Sequence, residues 1–173
     1  MGVVTAASTH RPLGFIAAAL IFVADQFTKW IVTHPLALRE RGAIELLPIF
    51  DLKWVENYGV SMGFLTASSN MGRWLLVAMT AAIAIGVAVW LWRERSRTDA
   101  IALGLVFGGA LGNILDRIRF GHVVDFADLH FGDWHPFLVF NVADAAITIG
   151  VLLLVLRALF MREGRAPSED VHA

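Results

Sequence analysis

The sequence predicts a membrane protein built on a bundle of four transmembrane helices, with a small extracytoplasmic β-sheet and a short amphipathic helix. Hydrophobic residues occupy 57% of the 173 positions, and the mean hydropathy is +0.65. Charged residues contribute only 17%, which is below the roughly 25% of a soluble domain. The chain also contains four apolar runs of about twenty residues, long enough to cross a hydrocarbon core of roughly 30 Å. We therefore expect its excess apolar surface to face lipid.

The four helices are predicted at residues 13–32, 74–92, 101–118 and 137–160. The first run is too long for the apolar region of a secretory signal and no small-x-small cleavage site follows it, so we interpret it as a retained helix. In the third run, glycines at positions 104, 108 and 112 form a stripe of small residues. Such a stripe favours close packing against a neighbouring helix of the same molecule.

Two outer loops, residues 34–71 and 119–136, join the helices in pairs. Short alternations of apolar and polar residues at 44–56 predict one or two strands broken at Pro48. A similar alternation at 122–130 predicts another strand. Residues 1–12 form a polar lead before the bundle, residues 13–160 form one domain, and residues 161–173 form a polar tail that we expect to be disordered.

Segment 57–71 is hypothesised to act as a mobile lid, because it is amphipathic and has glycines at positions 59 and 63.

Arginines cluster on one side of the predicted bundle, and the positive-inside rule places that side in the cytoplasm. Both termini are therefore predicted to be cytoplasmic. The arginines lie before the first helix, between the second and third, and after the fourth: Arg11; Arg93, Arg95 and Arg97; Arg157, Arg162 and Arg165.

Polar residues gather at the opposite, outer ends of the helices. Charged groups inside a membrane are costly and by default mark a functional site. Helical spacings of three or four residues place Asp25 with Lys29, and Asn113 with Asp116 or Arg117, on shared faces. The full set is Asp25, Gln26, Thr28 and Lys29 in the first helix, Asn113, Asp116 and Arg117 in the third, Asn141 and Asp144 in the fourth, and Asn57 and Asp125 in the loops.

Paired carboxylates in such a site favour hydrolysis of the aspartic type. Two carboxylates that lie close together in surroundings of low dielectric constant share one proton, because they cannot both be ionised at the same time. The ionised member takes a proton from water, and the protonated member donates one to a carbonyl oxygen or a leaving amine. The chain has no cysteine, which excludes disulfides, thiolate metal sites and a cysteine nucleophile. Its net charge of -1 gives no general attraction to nucleic acid.

Five motifs, in order, resemble those of the lipoprotein signal peptidase family, also called signal peptidase II. The resemblance covers residues from about 13 to 160, so the four-helix domain is expected to be a membrane peptidase domain. The motifs are D-Q-F-T-K at 25–29, N-Y-G-V-S-M-G-F at 57–64, G-N-I-L-D-R at 112–117, V-V-D-F at 123–126 and F-N-V-A-D at 140–144.

This resemblance implies an aspartic endopeptidase that removes the signal peptide of diacylglyceryl-modified bacterial prolipoproteins, cutting just before the lipidated cysteine. It implies that Asp125 and Asp144 are catalytic, and that no metal or cofactor takes part. Expected partners are the prolipoprotein, membrane lipids and globomycin-type cyclic peptide inhibitors, and the expected location is the bacterial inner membrane with the site at the outer face. Substrate-binding or supporting roles are implied for Asp25, Lys29, Asn57, Gly59, Asn113, Asp116, Arg117 and Asn141.

Several alternatives remain open at this point. Asp25 with Lys29 is also consistent with an interfacial ion pair, and Asp116 with Arg117 with a structural charge pair at a helix end. Asp128 is interpreted as a solvated loop acid. Three rival functions are a metal-dependent hydrolase using loop histidines and acids, a serine protease whose Ser61 fits G-x-S-x-G, and a proton-coupled carrier or small transporter subunit using the intramembrane acids.

Overall fold

Four long helices form the bundle in the computed structural model, which describes residues 10–59 and 70–163, with side chains to residue 160. Each of the four is long and apolar enough to span a membrane, which confirms the predicted fold. Ser61 and most of the segment hypothesised to be a lid lie outside the described residues. The long helices are α1 (Arg11–Thr33), α3 (Asn70–Arg93), α4 (Arg97–Arg119) and α5 (Val142–Glu163).

The central helix of the bundle is α4, which packs against α1, α3 and α5. Its glycines permit the close approach that the small-residue stripe predicts. A Cβ atom added at Gly104 would collide with the carbonyl oxygen of Gly14, and one at Gly108 would collide with the backbone of Ala18. These neighbours are backbone atoms that cannot rotate away, so the α1–α4 contact requires glycine at both positions.

A three-stranded antiparallel sheet covers the end of the bundle where α1 and α4 end and α5 begins. Its order is β1 (Ala43–Leu47), β2 (Phe50–Asn57) and β3 (Val123–Leu129), as the alternating patterns predict, with the break at Pro48. A single-turn amphipathic helix, α2 (Leu38–Arg41), precedes the sheet; its leucine is buried and its three charged residues are exposed. The apolar core between them includes Val32, Leu38, Leu52, Val124 and Phe126.

The fourth helix begins later than predicted, at Val142 instead of residue 137. The apolar composition of residues 137–140 is equally compatible with an edge segment, and there the backbone pairs with β3. The carbonyl oxygen of Phe140 accepts the Ala127 N–H at 2.8 Å, and the Phe140 N–H donates to the Ala127 carbonyl at 3.0 Å. Asn141 consequently stands just before the helix and caps it.

Candidate active site

A buried lysine lies between two buried aspartates at the base of the site. The Lys29 ammonium is 2.9 Å from a carboxylate oxygen of Asp25 on α1 and 2.7 Å from one of Asp116 on α4. The side-chain amide oxygen of Asn113 accepts a third bond from the ammonium at 3.2 Å. Both aspartates are fully buried. Each ion is costly to remove from water unless the remaining hydrogen bonds are made.

Those remaining bonds are made. Gln26 donates to Asp116 at 3.0 Å and to Asp25 at 3.2 Å. The other acceptor atoms of the two aspartates take backbone N–H groups: Val124 donates to Asp116 at 3.2 Å, and Ala143 donates to Asp25 at 3.0 Å. Every carboxylate oxygen of the pair therefore has a partner.

The two backbone groups held in this way are the immediate neighbours of the predicted catalytic acids. Val124 precedes Asp125 on β3, and Ala143 precedes Asp144 on α5. Because Lys29 bridges the two supporting aspartates, one cation fixes the separation of the segments that carry Asp125 and Asp144. This network, which links α1, α4, β3 and the start of α5, is called the support network below.

Asp125 is 1% exposed and lies in the middle of β3. Its carboxylate accepts the side-chain amide of Asn57 at 2.9 Å and that of Asn141 at 2.6 Å. Burial first, and then the neighbouring negative charge of Asp144, raises the pKa of Asp125 to about 6. The hydrogen bonds from the two asparagines oppose this rise, because they favour the ionised form.

Asp144 occupies the first turn of α5, where the helix dipole favours a negative charge. It forms a reciprocal cap with Asn141. The Asp144 N–H donates to the Asn141 side chain at 2.9 Å, and the Asp144 carboxylate accepts the Asn141 N–H at 3.2 Å. This is the geometry of a capping box. Asn113 donates to the other oxygen of Asp144 at 2.8 Å.

Asn141 thus connects the two acids, because its side chain donates to Asp125 while accepting from the backbone of Asp144. Arg117 supplies the nearby positive charge. Its guanidinium interacts electrostatically with Asp144, Asp125 and Asp116, and donates to the Asn113 carbonyl at 3.3 Å. Its Nε atom is buried and has no hydrogen-bond partner among the described residues.

Gly59 fixes the side chain of Asn57. The Gly59 N–H donates to the Asn57 amide oxygen at 2.9 Å, so the Asn57 amide nitrogen is directed at Asp125. The glycine has a φ of +90°, and a Cβ atom there would lie 2.6 Å from the Leu76 side chain of α3. The backbone conformation therefore favours glycine, and any larger residue would also have to displace the end of the Leu76 side chain.

An apolar groove of about 270 Å³ opens beside Asp144. Its walls come from the end of β3, the segment before α5 and the first turns of α5. A carboxylate at the edge of an otherwise apolar groove suits a substrate that is largely hydrophobic. Lining residues include Leu129, Phe137, Phe140, Asp144 and Ile149.

The structure brings together all ten residues that the sequence predicts for the site, but it changes three local interpretations. Asp25 and Lys29 are a buried pair, and Asp116 is bonded to Lys29 instead of forming the main pair with Arg117. Asp128 is 3% exposed, which corrects its interpretation as a solvated acid, since His135 bonds it at 2.9 Å and Lys53 lies at 3.8 Å. Burial of a loop acid has no signal in the local sequence.

The loop histidines do not converge with Asp125. His130 lies 3.2 Å from Asp51, and His135 pairs with Asp128. Within residues 10–59 and 70–160, no three histidine and acidic side chains are grouped in a way that would hold a metal ion.

Comparison with known proteins agrees across sequence and structure. A family model described as signal peptidase (SPase) II matches residues 17–160. The lipoprotein signal peptidase of Rhizorhabdus wittichii is 65% identical over 168 residues, covering 97% of this chain and 98% of that protein. The lipoprotein signal peptidase of Sphingopyxis alaskensis is 56% identical, covering 92% of both. A solved structure described as a bacterial membrane enzyme superposes with a TM-score of 0.75 at 28% identity, covering 91% of this chain and 94% of that one.

Proposed function

The chain belongs to the signal peptidase II family, and we propose that Asp125 and Asp144 are the two aspartates with which it cleaves its substrate. The chain is a multi-pass membrane protein and an aspartic endopeptidase. It removes the signal peptide from diacylglyceryl-modified bacterial prolipoproteins, cutting just before the lipidated cysteine. The observation that carries the residue assignment is the link that Asn141 makes between the two acids.

The raised pKa of Asp125 supports a shared proton near neutral pH. In the proposed reaction, the ionised acid of the pair takes a proton from water, and the resulting hydroxide attacks the scissile carbonyl carbon. The protonated acid then donates its proton to the leaving amine, so the carbon–nitrogen bond breaks and the pair again holds one proton. No covalent intermediate, cofactor or metal is required.

The neighbouring side chains have distinct proposed roles. Asn57, Asn113 and Asn141 donate to the two carboxylates and hold their orientation. Arg117 binds the substrate, since its guanidinium interacts electrostatically with both acids and its buried Nε atom has no hydrogen-bond partner within the described part of the chain. The support network acts indirectly, by positioning the segments that carry the two acids; its charged members are Asp25, Lys29 and Asp116.

The groove beside Asp144 is proposed to hold an apolar part of the substrate. The lipidated prolipoprotein approaches within the membrane, and the groove is lined by exposed apolar side chains, among them Phe137, Leu138 and Ile149. Globomycin-type cyclic peptides are expected to inhibit by occupying the same groove. The distribution of arginines supports cytoplasmic termini and a site at the outer face, and the family supports the inner-membrane location.

The test of this assignment is a cleavage assay on a diacylglyceryl-modified prolipoprotein. Asp125→Asn and Asp144→Asn keep the shape of each side chain and remove the acid. Each is expected to lower kcat by about a thousandfold or more, the scale of lost acid–base catalysis. Asp133→Asn, a matched change of an exposed acid in the same loop, is expected to leave the rate unchanged.

Two results would contradict the assignment. One is a folded Asp125 or Asp144 variant that keeps wild-type activity; the other is loss of wild-type activity on chelation, which would favour a metal-dependent reaction. Proton flux into liposomes that depends on Asp144 would favour a carrier. No observation among the described residues favours a carrier.

A further inference from the structure

A second apolar groove, distant from the aspartates, lies between α1, α3 and α4. Its volume is about 430 Å³, within the roughly 300–1,000 Å³ of pockets that hold organic ligands. All of its lining residues are apolar. Prominent among them are Phe15 on α1, Ile85, Val89 and Trp92 on α3, and Phe107 and Leu111 on α4.

The groove has the depth of one membrane leaflet. On α3 it extends from Ala81 to Trp92, which at roughly 1.5 Å per residue is about 16 Å of helix. That length is about half of a hydrocarbon core of roughly 30 Å. Helix α3 begins at the end of the bundle that carries Asp125 and Asp144 and ends at the opposite face of the membrane. The Trp92 end of the groove therefore lies at that opposite face.

At this end of the groove lies the Arg11 guanidinium, which forms no salt bridge with an acid among the described side chains. The Arg11 guanidinium lies 5.3 Å from the centre of the Trp92 ring. Its Nε atom is buried and has no hydrogen-bond partner in residues 10–59 or 70–160. Arg11 also begins α1, whose N-terminus has no side-chain cap and no acid in its first turn. A helix N-terminus and a guanidinium together attract an anion.

The two acids with described side chains near this face, Asp99 and Glu94, are engaged elsewhere. Asp99 is 3.0 Å from Arg157. Glu94 accepts the backbone N–H groups of Arg95 and Ser96 at 2.8 and 2.7 Å. Residues 1–9 contain no acid. The counter-charge for Arg11 is therefore expected to come from outside the described part of the protein.

We propose that this site binds one anionic glycerophospholipid, with an acyl chain in the groove and the phosphate group at Arg11. Lipid tails are as apolar as the groove, so filling it brings no hydrophobic gain within a membrane. Selection therefore depends on the headgroup. One basic side chain near an anionic lipid corresponds to a preference of about fivefold.

The test is native mass spectrometry of the full chain purified with equimolar phosphatidylglycerol and phosphatidylethanolamine. Wild type is expected to retain phosphatidylglycerol about fivefold over phosphatidylethanolamine. Arg11→Gln is expected to lower this ratio to about one, while Arg95→Gln, an exposed arginine at the same face, keeps it. Ala88→Phe, which fills the groove, is expected to reduce retention of both lipids. Unchanged cleavage of lipidated prolipoprotein verifies that each variant is folded.

Five outcomes would overturn the proposal. Equal retention of both lipids by wild type would remove the anion preference, and a preference that survives Arg11→Gln would place it elsewhere. Loss of preference in Arg95→Gln would indicate a general basic surface instead of a site. If neutralising Glu169 and Asp170 in the C-terminal tail were needed to reveal the preference, the tail would be the occupant. A dimer that Ala88→Phe converts to monomers would assign the groove to a second copy.

Discussion

The two ends of the helix bundle both carry ion pairs, but the pairs differ in how deeply they are buried. At the site end, Lys29 and its two aspartates are at most 5% exposed, and each carboxylate oxygen has a partner. At the opposite end, Arg157 and Asp99 are 29% and 21% exposed in their side chains. A buried ion pair is often matched or exceeded in stability by apolar residues of similar volume. Stability therefore does not explain the buried network, whereas the positioning of the two segments that carry Asp125 and Asp144 does.

The largest difference between the two ends is expected on removing the cation of each. Lys29→Met leaves two buried aspartates without a counter-charge, which is expected to lower the free energy of unfolding by about 3–5 kcal/mol. Arg157→Met opens a partly exposed pair, for which about 1 kcal/mol or less is expected. Thermal unfolding in one detergent measures both. Equal losses would mean that burial does not distinguish the two ends.

The next largest effect is expected in the pH dependence of stability when Asp125, at the site end, is replaced by asparagine. The pKa of Asp125 is about 6 in the folded protein, against its usual value of 3.8. A raised pKa contributes stability that is present below pH 4 and is lost as the pH rises through about 6. The stability of Asp125→Asn relative to wild type is therefore expected to increase by about 2 kcal/mol from pH 4 to pH 7.

The comparison must be made as a difference between the two proteins. Glu56, whose pKa is lowered mainly by the hydrogen bond from Tyr58, loses stabilising interactions as the pH falls and acts in the opposite direction in both. If the thermal midpoints of wild type and variant stay parallel across this range, the pKa of Asp125 is not raised.

A pair of glycine substitutions tests how tightly the site end is packed. A Cβ atom at Gly112 would collide with the Asp25 carboxylate, which Lys29 and Ala143 hold in place. Gly112→Ala is therefore expected to cost about 1–3 kcal/mol of stability and to lower kcat. Gly86 has no atom within 4 Å of such a Cβ, so Gly86→Ala is expected to be neutral or to stabilise α3 by up to about 1 kcal/mol. An active, stable Gly112→Ala protein would show that Asp25 can move.

The smallest expected effect on stability comes from removing the side chain that caps a helix at each end of the bundle. Ser96 caps α4 at one end by accepting the Asp99 N–H, and Asn141 caps α5 at the other. Replacing either by alanine is expected to cost about 1 kcal/mol. Only Asn141→Ala is expected to slow cleavage, by about a hundredfold, because it releases Asp125 and Asp144 from their common partner. Similar kcat values for the two variants would contradict the linking role of Asn141.

Local chemistry made much of this site predictable. The apolar runs gave the helices to within a few residues, and the glycine stripe at 104, 108 and 112 indicated close packing against a neighbouring helix, which the structure shows to be α1. Residue type and depth also placed Asp25, Lys29 and Asp116 in one layer. The pattern could not distinguish residues 137–140 from the first turn of a helix, because an apolar segment suits either a lipid-facing helix or a sheet edge.

The sequence by itself determined the four-helix membrane class, the strands of the outer loops and the identity of the polar residues at the outer ends, because these depend on composition and period along the chain. Only the tertiary structure decided which groups are partners. Asp116 takes Lys29, 87 positions away along the chain, as its cation although Arg117 is adjacent, and Asp128 on β3 is buried although the segment around it is polar. Neighbours on a helix point to different faces, so long-range packing, not sequence distance, sets which charges meet.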